Sequence, residues 1–311
     1  MPPLLTLFTA PKPFTNPHIA TIQWNALQSW KQLGDEVQVV AVGEEEGLAE
    51  ACRETGALHL PQVKRNQLGT PLIDSIFELG RSANQSPLLA YINADILLLP
   101  DFTEKVRQAL ACSKQFLLVG QRWDLEVTER LDFTADWAAS LDARLKENGK
   151  LHPPAGSDYF VFPRACFTEI PRFAIGRAGW DNWMIYEARR RGWDAIDATP
   201  SIRIVHQNHD YSHLPNGQPH YRLPESGENV RLAGGKRTMF TLADVSCALR
   251  GGRLEALPFS WPRFWRSMET FPITALRAPL LHQLSFALFH PTKAYWEARV
   301  AFSQWRRGIR G

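Results

Sequence analysis

Four cysteines in 311 residues, Cys52, Cys112, Cys166 and Cys247, stand far apart, so neither a zinc ribbon nor a disulfide framework is indicated. That usage suits a reducing, cytosolic compartment. No stretch approaches the roughly 18 uninterrupted apolar residues of a membrane-spanning helix. The amino-terminal apolar run, residues 4–10, is short and stops at Pro11 and Pro13, unlike a signal peptide. An excess of one charge is also missing: 35 lysines and arginines face 32 acids, a formal net charge of +3, which gives no general case for nucleic acid as a partner. With 44% hydrophobic and 22% charged residues, the chain is neither disordered nor fibrous, and it is long enough for a sizeable globular core.

What is present is an alternation of strand and helix. Residues 4–10 are rich in strand formers and end in a proline loop, as a buried parallel strand does. A helix follows, capped by Thr15 or Asn16, with Pro17 in its first turn, Ile19, Ile22, Trp30 and Leu33 along one stripe, and Gly34 at its end. Residues 37–42 read as a strand, 44–55 as a helix closed by Gly56, 58–60 as a strand, 71–79 as helical, and 88–92 as a strand ending at Asn93-Ala94-Asp95. Helices are predicted at 101–112, 132–150 and 181–191, and strands at 116–119, 159–162, 195–198 and 202–206. The pattern predicts an α/β fold with a mostly parallel, Rossmann-like sheet and helices on both faces, its ligands lying beyond the carboxyl ends of the strands.

The chain divides near residue 250. Residues 1–249 form the α/β domain, and residues 250–311 a helical C-terminal extension with ten lysines and arginines against Glu255, Glu269 and Glu297. Trp261, Trp265, Trp296 and Trp305 are interleaved with those bases. Two readings stand: an amphipathic segment on an anionic membrane surface, making the protein peripheral, or a subdomain packing its aromatics onto the body.

Four segments can carry chemistry. Asn93 and Asp95, two apart at a strand end, point the same way, and hard oxygen ligands there can hold Mg²⁺ or Mn²⁺ against a diphosphate; the plainer reading is a strand-end cap. The imidazole-rich run at 206–213 offers His206 or His209 to complete such a metal shell, against solvated loop histidines or a separate zinc site. In Gly179-Trp180-Asp181-Asn182-Trp183, Asp181 is either an N-cap or a general base, with the tryptophans as flat faces for a sugar ring, while Ser157 and Asp158 frame an acceptor pocket. The loop Arg65-Asn66-Gln67-Leu68-Gly69-Thr70 offers donors to an anion or nucleotide, joined by Lys12. The first strand is followed by neither a Walker loop nor Gly-x-Gly-x-x-Gly.

In this order the features resemble the nucleotide-sugar glycosyltransferases of the GT-A fold, particularly the family 2-like group, over roughly residues 4–215. The resemblance implies a divalent cation, Mn²⁺ or Mg²⁺, on Asp95, with Asn93 standing where the family usually has the first aspartate of Asp-x-Asp. It implies Asp181 as the base that deprotonates an acceptor hydroxyl on a glycan, lipid or small molecule, although Trp180 replaces the usual preceding acid. Thr9, Ala10 and Lys12 would meet the nucleobase, and Glu44 the base or ribose. The other reading is a catalytically silent, transferase-like protein that only binds a glycan or membrane.

Overall fold

The computed structural model describes residues 2–134, 136–209 and 223–308. Strand β1 (Leu5–Thr9) is buried along its whole length, which places it inside a sheet covered on both faces. Helix α1 (Pro17–Lys31) begins where Asn16 Oδ1 accepts the N–H groups of His18 and Ile19 at 2.9 and 3.1 Å. β2 (Val37–Val42), α2 (Leu48–Thr55), β3 (Leu58–Leu60), α3 (Ile73–Ser82) and β4 (Leu88–Ile92) continue the alternation. Helix α2 starts four residues later than predicted, because Gly47 lies in the left-handed region at φ 81° and breaks the turn before Leu48.

The chain goes on through β5 (Ile96–Leu98), α4 (Phe102–Cys112), β6 (Phe116–Val119), β7 (Arg122–Leu125), α5 (Trp137–Asn148), β8 (Lys150–Leu151), β9 (Tyr159–Pro163) and α6 (Trp180–Arg191). β10 (Asp194–Asp197), β11 (Ile204–Gln207), α7 (Pro224–Ala233), β12 (Cys247–Arg250) and β13 (Arg253–Ala256) follow, then α8 (Trp261–Thr274), α9 (Pro279–Phe289) and α10 (Pro291–Gly308).

Nine strands form the main sheet in the order β13-β12-β10-β6-β9-β4-β1-β2-β3. Its pairs are parallel except those of β9 with β4 and β6 and of β12 with β13. This is the α/β, mostly parallel arrangement predicted. Alternate residues face opposite cores: Leu5, Leu7, Val39 and Leu88 meet α1 and α4, while Phe8, Val40, Leu89 and Tyr91 meet α3 and α6. A second sheet, β5-β11-β7-β8, lies beside the first, with β11 parallel to β7 and antiparallel to β5. Sequence patterning does not predict it.

The last three helices touch the body through one side only. α8 buries Glu269, Thr270 and Ile273, and α9 buries His282 and Phe286. The tryptophans of this region do not pack onto the body: Trp261, Trp265, Trp296 and Trp305 are 65, 56, 56 and 62% exposed, whereas Phe286 is buried. Among the described residues, every exposed large apolar side chain except Leu58, Leu68 and Leu151 lies between Phe259 and Trp305. No helix among those residues is long and apolar enough to cross a membrane. All four cysteines are unpaired, with Cys52 and Cys166 buried and Cys112 exposed.

Candidate functional site

The site is assembled where the two sheets meet. β4 ends at Ile92, Asp95 lies in the turn before β5, and β5 pairs with β11 so that Ile96 stands opposite His206. The Gln207 N–H donates to the Asp95 carbonyl at 3.1 Å. The Gln207 amide also donates to the Ile22 carbonyl at 2.7 Å and accepts from Asn25 Nδ2 at 3.0 Å, fixing the end of β11 to α1. Helix α1 adds a further tie, His18 Nε2 to the Asn208 carbonyl at 2.9 Å.

This framework brings one ligand atom each from Asp95, His206 and His209 within 4.8 Å of one another. His209 Nε2 is 3.1 Å and His206 Nε2 3.9 Å from Asp95 Oδ2. The other carboxylate oxygen, Oδ1, is buried with no hydrogen-bond partner. A buried charged acceptor left without a donor is costly, on the order of 1–3 kcal/mol or more, so the set fits a divalent cation held by one carboxylate and neutral imidazoles. Burial pushes the Asp95 carboxyl up, but the His209 hydrogen bond and the charges of His206 and Lys12 outweigh it and hold the group well below the usual carboxylate range. Burial pushes the His206 imidazole down despite the attraction of Asp95, favouring the neutral form that ligates metals.

Behind these residues lies a network that sequence reasoning missed. His206 Nδ1 is 3.1 Å from Asp124 Oδ1, close enough for the two charges to interact but without the alignment of a hydrogen bond. Asp124 also accepts from Arg122 Nε at 2.9 Å and lies 2.8 Å from His152 Nδ1. Burial pushes the Asp124 carboxyl up, and His152 and Arg122 hold it below its usual range. Arg122 Nη1 reaches both oxygens of Asp158, at 3.0 and 2.9 Å, and Asp158 Oδ1 accepts from Asn93 Nδ2 at 2.8 Å. Asn93 is thus a link between β4 and Asp158. The alternation of Arg122 and Asp124 on one strand face was the available signal.

Lys12 lies near Asp95; burial lowers the pKa of its ammonium and Asp95 partly opposes that. Thr9 is buried with Oγ1 unpartnered, and Ala10 packs against the core. Glu44 is exposed, and its neighbour Glu45 is the residue held in place. Glu45 Oε1 pairs with Arg65 Nη2 at 2.8 Å, while Oε2 is buried without a partner. Gly43, at φ +122°, makes room for this, since a Cβ there would run into the Glu45 carboxylate. Asn66 and Thr70 do not offer free donors to a ligand: Asn66 Nδ2 donates to Glu225 Oε1 at 2.6 Å, and Thr70 bonds the same carboxylate.

Asp181 opens α6 and receives the Gly179 N–H at 3.3 Å. Gly179 has φ +108°, a conformation that admits glycine readily and other residues only under strain. Burial pushes the Asp181 carboxyl up to about 6, aided by the charge of Asp158 and opposed by the backbone N–H groups of Asn182 and Gly179. A narrow hollow beside it is walled by Gly156, Ser157, Asn182, Ile185 and Thr241. The Asn182 amide is fixed on the Phe240 carbonyl at 2.7 Å. Trp180 and Trp183 correct the prediction of a sugar platform. They are only 5 and 7% exposed, and Trp180 stands edge-on to Tyr91 in the core, because the helix turns them inward behind Asp181. The part of the histidine-rich run at 210–213 lies outside the described residues.

No family model matches the sequence, and no curated protein matches it. Among solved structures, glucosyl-3-phosphoglycerate synthase from Mycobacterium tuberculosis is similar at 16% identity and a TM-score of 0.45, covering 83% of this chain and 88% of that one. Its complex with Mn²⁺, uridine diphosphate and glucosyl-3-phosphoglycerate aligns at 14% identity and a TM-score of 0.44, with the same coverage of both chains. The complex with Mn²⁺, UDP-glucose and phosphoglyceric acid aligns at 14% and 0.46, again covering 83% of this chain and 88% of that one.

Proposed function

We propose that this protein is a metal-dependent glycosyltransferase that moves a sugar from a nucleotide-sugar donor to a hydroxyl acceptor, working at an anionic membrane surface. The observation that carries the reading is Asp95, a buried carboxylate at the end of β4 with one oxygen unpartnered and two imidazoles beside it. Asp95, His206 and His209 would hold Mn²⁺ or Mg²⁺, which when bound supplies positive charge against the diphosphate that leaves.

The protein's own residues do the rest. Lys12 adds charge beside Asp95, and Glu45, with its unpartnered Oε2, is placed to accept from a ribose or base donor near Arg65. Asp181, at about 6, is ionised at neutral pH yet basic enough to take the acceptor's hydroxyl proton. The acceptor oxygen then bonds to the anomeric carbon. The bond from that carbon to the phosphate oxygen breaks, and its electron pair leaves with the nucleoside diphosphate. Arg122 and Asn93 hold Asp158 between the two halves of the site.

Membrane association is supported by the apolar side chains left exposed on α8–α10 and by the ten basic residues of the extension. The decisive experiment is thermal stability with nucleoside diphosphates and nucleotide sugars, with and without Mn²⁺, for the wild type and Asp95→Ala. A metal-dependent rise with one nucleotide is expected, worth roughly 2.7 kcal/mol at a hundredfold excess over the dissociation constant, and it should vanish in the variant. No rise with any donor would leave a silent, transferase-like binding protein.

A further inference from the structure

A concavity lies away from Asp95, His206 and His209, under the C-terminal helices. It measures about 600 Å³, is open to solvent on one side, and is lined by residues of α8, α9, α10 and the segment at 236–244. Four cations line it, Lys236, Arg263, Arg266 and Lys293. Arg266 is neutralised within the protein, by Asp244 Oδ1 at 2.6 Å and Glu269 Oε1 at 2.7 Å. His290 also leans on Glu269, at 3.1 Å. The charged ends of Lys236, Arg263 and Lys293 make no ion pair among the described residues, while the Lys236 backbone N–H donates to Glu297 Oε1 at 2.7 Å. Arg263 donates Nη1 to the Pro258 carbonyl at 2.8 Å and keeps its Nε buried without any acceptor.

Four cations against the two lining carboxylates Asp244 and Glu269 leave the concavity a positive excess, carried by the Arg263, Lys293 and Lys236 side chains, and that excess suits a phosphate group. Met239, Pro262 and Phe286 add an apolar strip to a wall that also holds Thr241 and Ser260, which suits a group that carries hydrocarbon with it. Thr241 lines both this cavity and the hollow beside Asp181, so the two are separated by a single stretch of chain. That stretch is held in place: Thr241 N–H donates to Asp244 Oδ2 at 2.8 Å, and the Phe240 carbonyl accepts from Asn182. On the outer side, Trp261, Phe264, Trp265 and Met268 follow one another at helical spacing on the face of α8 opposite Arg263 and Arg266.

We propose that the cavity binds the phosphate of an amphiphilic acceptor standing in the bilayer, with its hydrocarbon along Met239, Pro262 and Phe286 and its hydroxyl-bearing head toward Asp181. This rests on the glycosyltransferase reading and narrows its acceptor to a phosphorylated lipid.

The test measures binding of the full chain to phosphatidylcholine vesicles carrying either phosphatidic acid, a phosphomonoester, or phosphatidylserine at matched surface charge. Wild type should prefer phosphatidic acid by about tenfold, the effect of one good charge-assisted hydrogen bond. The double variant Arg263→Gln with Lys293→Gln should lose that preference while its phosphatidylserine binding and metal-dependent nucleotide binding persist. Lys236→Gln, at an exposed position, provides a second reading should the double variant not fold. Equal binding of wild type to the two lipids, or a preference that survives the substitutions, overturns the proposal. So does full competition by millimolar inorganic phosphate, which would make the site one for the free ion. Nucleotide binding is read separately, so absence of a donor shift alongside a clear lipid preference would overturn the transferase reading and not the phosphate site.

Discussion

Asp181 is a carboxylate kept unusually basic by its surroundings, and under the proposed function this has opposite consequences for stability and catalysis. Its pKa rises from 3.8 in the unfolded chain to about 6 in the fold, so the folded state binds the proton more tightly. The stability this contributes is complete below about pH 4 and is lost as the pH climbs through about 6. Asp181→Asn removes that loss, up to roughly 3 kcal/mol at 1.36 kcal/mol per unit, so its melting temperature at pH 8 should equal or exceed that of the wild type. Turnover with saturating donor should fall by roughly 10²–10⁴, and the rise of wild-type kcat/KM centred near pH 6 should disappear from the residual activity. Unchanged turnover would reduce Asp181 to a helix cap. Under the proposed function, the same proton is helpful to the fold and fatal to the reaction.

Helix α6 depends on how it begins. Gly179→Ala puts a side chain at φ +108° and 3.3 Å from Val230 Cγ2, so a loss of about 1–2 kcal/mol is expected from the urea midpoint. Gly156→Ala, with open space around its Cβ, should change stability by less than about 0.5 kcal/mol. Elements of this kind were legible in the sequence wherever one segment fixes its own structure. β1, β2 and β4 are apolar runs bounded by turn residues, and α1 announces itself with Asn16 and Pro17. The second sheet was not legible, because β7 and β8 are short, partly or wholly exposed strands that exist only through pairing with β11 and with each other. The site divides in the same way. Asp95, His206 and His209 were marked by a strand end and an imidazole run, whereas Asp124 and Arg122 earn their place from that pairing. Glu45 was missed in favour of Glu44 because a one-residue choice after β2 is made by the backbone of Gly43, which sequence pattern does not specify.

At the scale of the whole molecule, polarity is arranged along the chain. The described body before Phe259 leaves only Leu58, Leu68 and Leu151 as large exposed apolar side chains, and the final helices carry all the others together with a surplus of bases. Vesicles containing anionic lipid should sediment the protein at low salt, and raising the salt to about 1 M, where the Debye length shrinks to about 3 Å, should release most of it. Trp265→Glu, at a 56% exposed position, should weaken the association by roughly tenfold or more without unfolding the protein, since the side chain contributes area only to the outside partner. Indifference of the protein to anionic vesicles would make the exposed face an interface for something other than lipid. The four cysteines offer a way to see this directly. Burial raises the Cys52 and Cys166 thiols to about 11, and Cys247 is raised as well, which leaves them poor nucleophiles at neutral pH. Cys112 is exposed at the end of α4, an element that supplies no residue to the metal cluster, the hollow or the cavity. A maleimide dye will therefore attach preferentially at Cys112, and energy transfer from it to labelled lipid will report whether the protein sits on a bilayer and at what height.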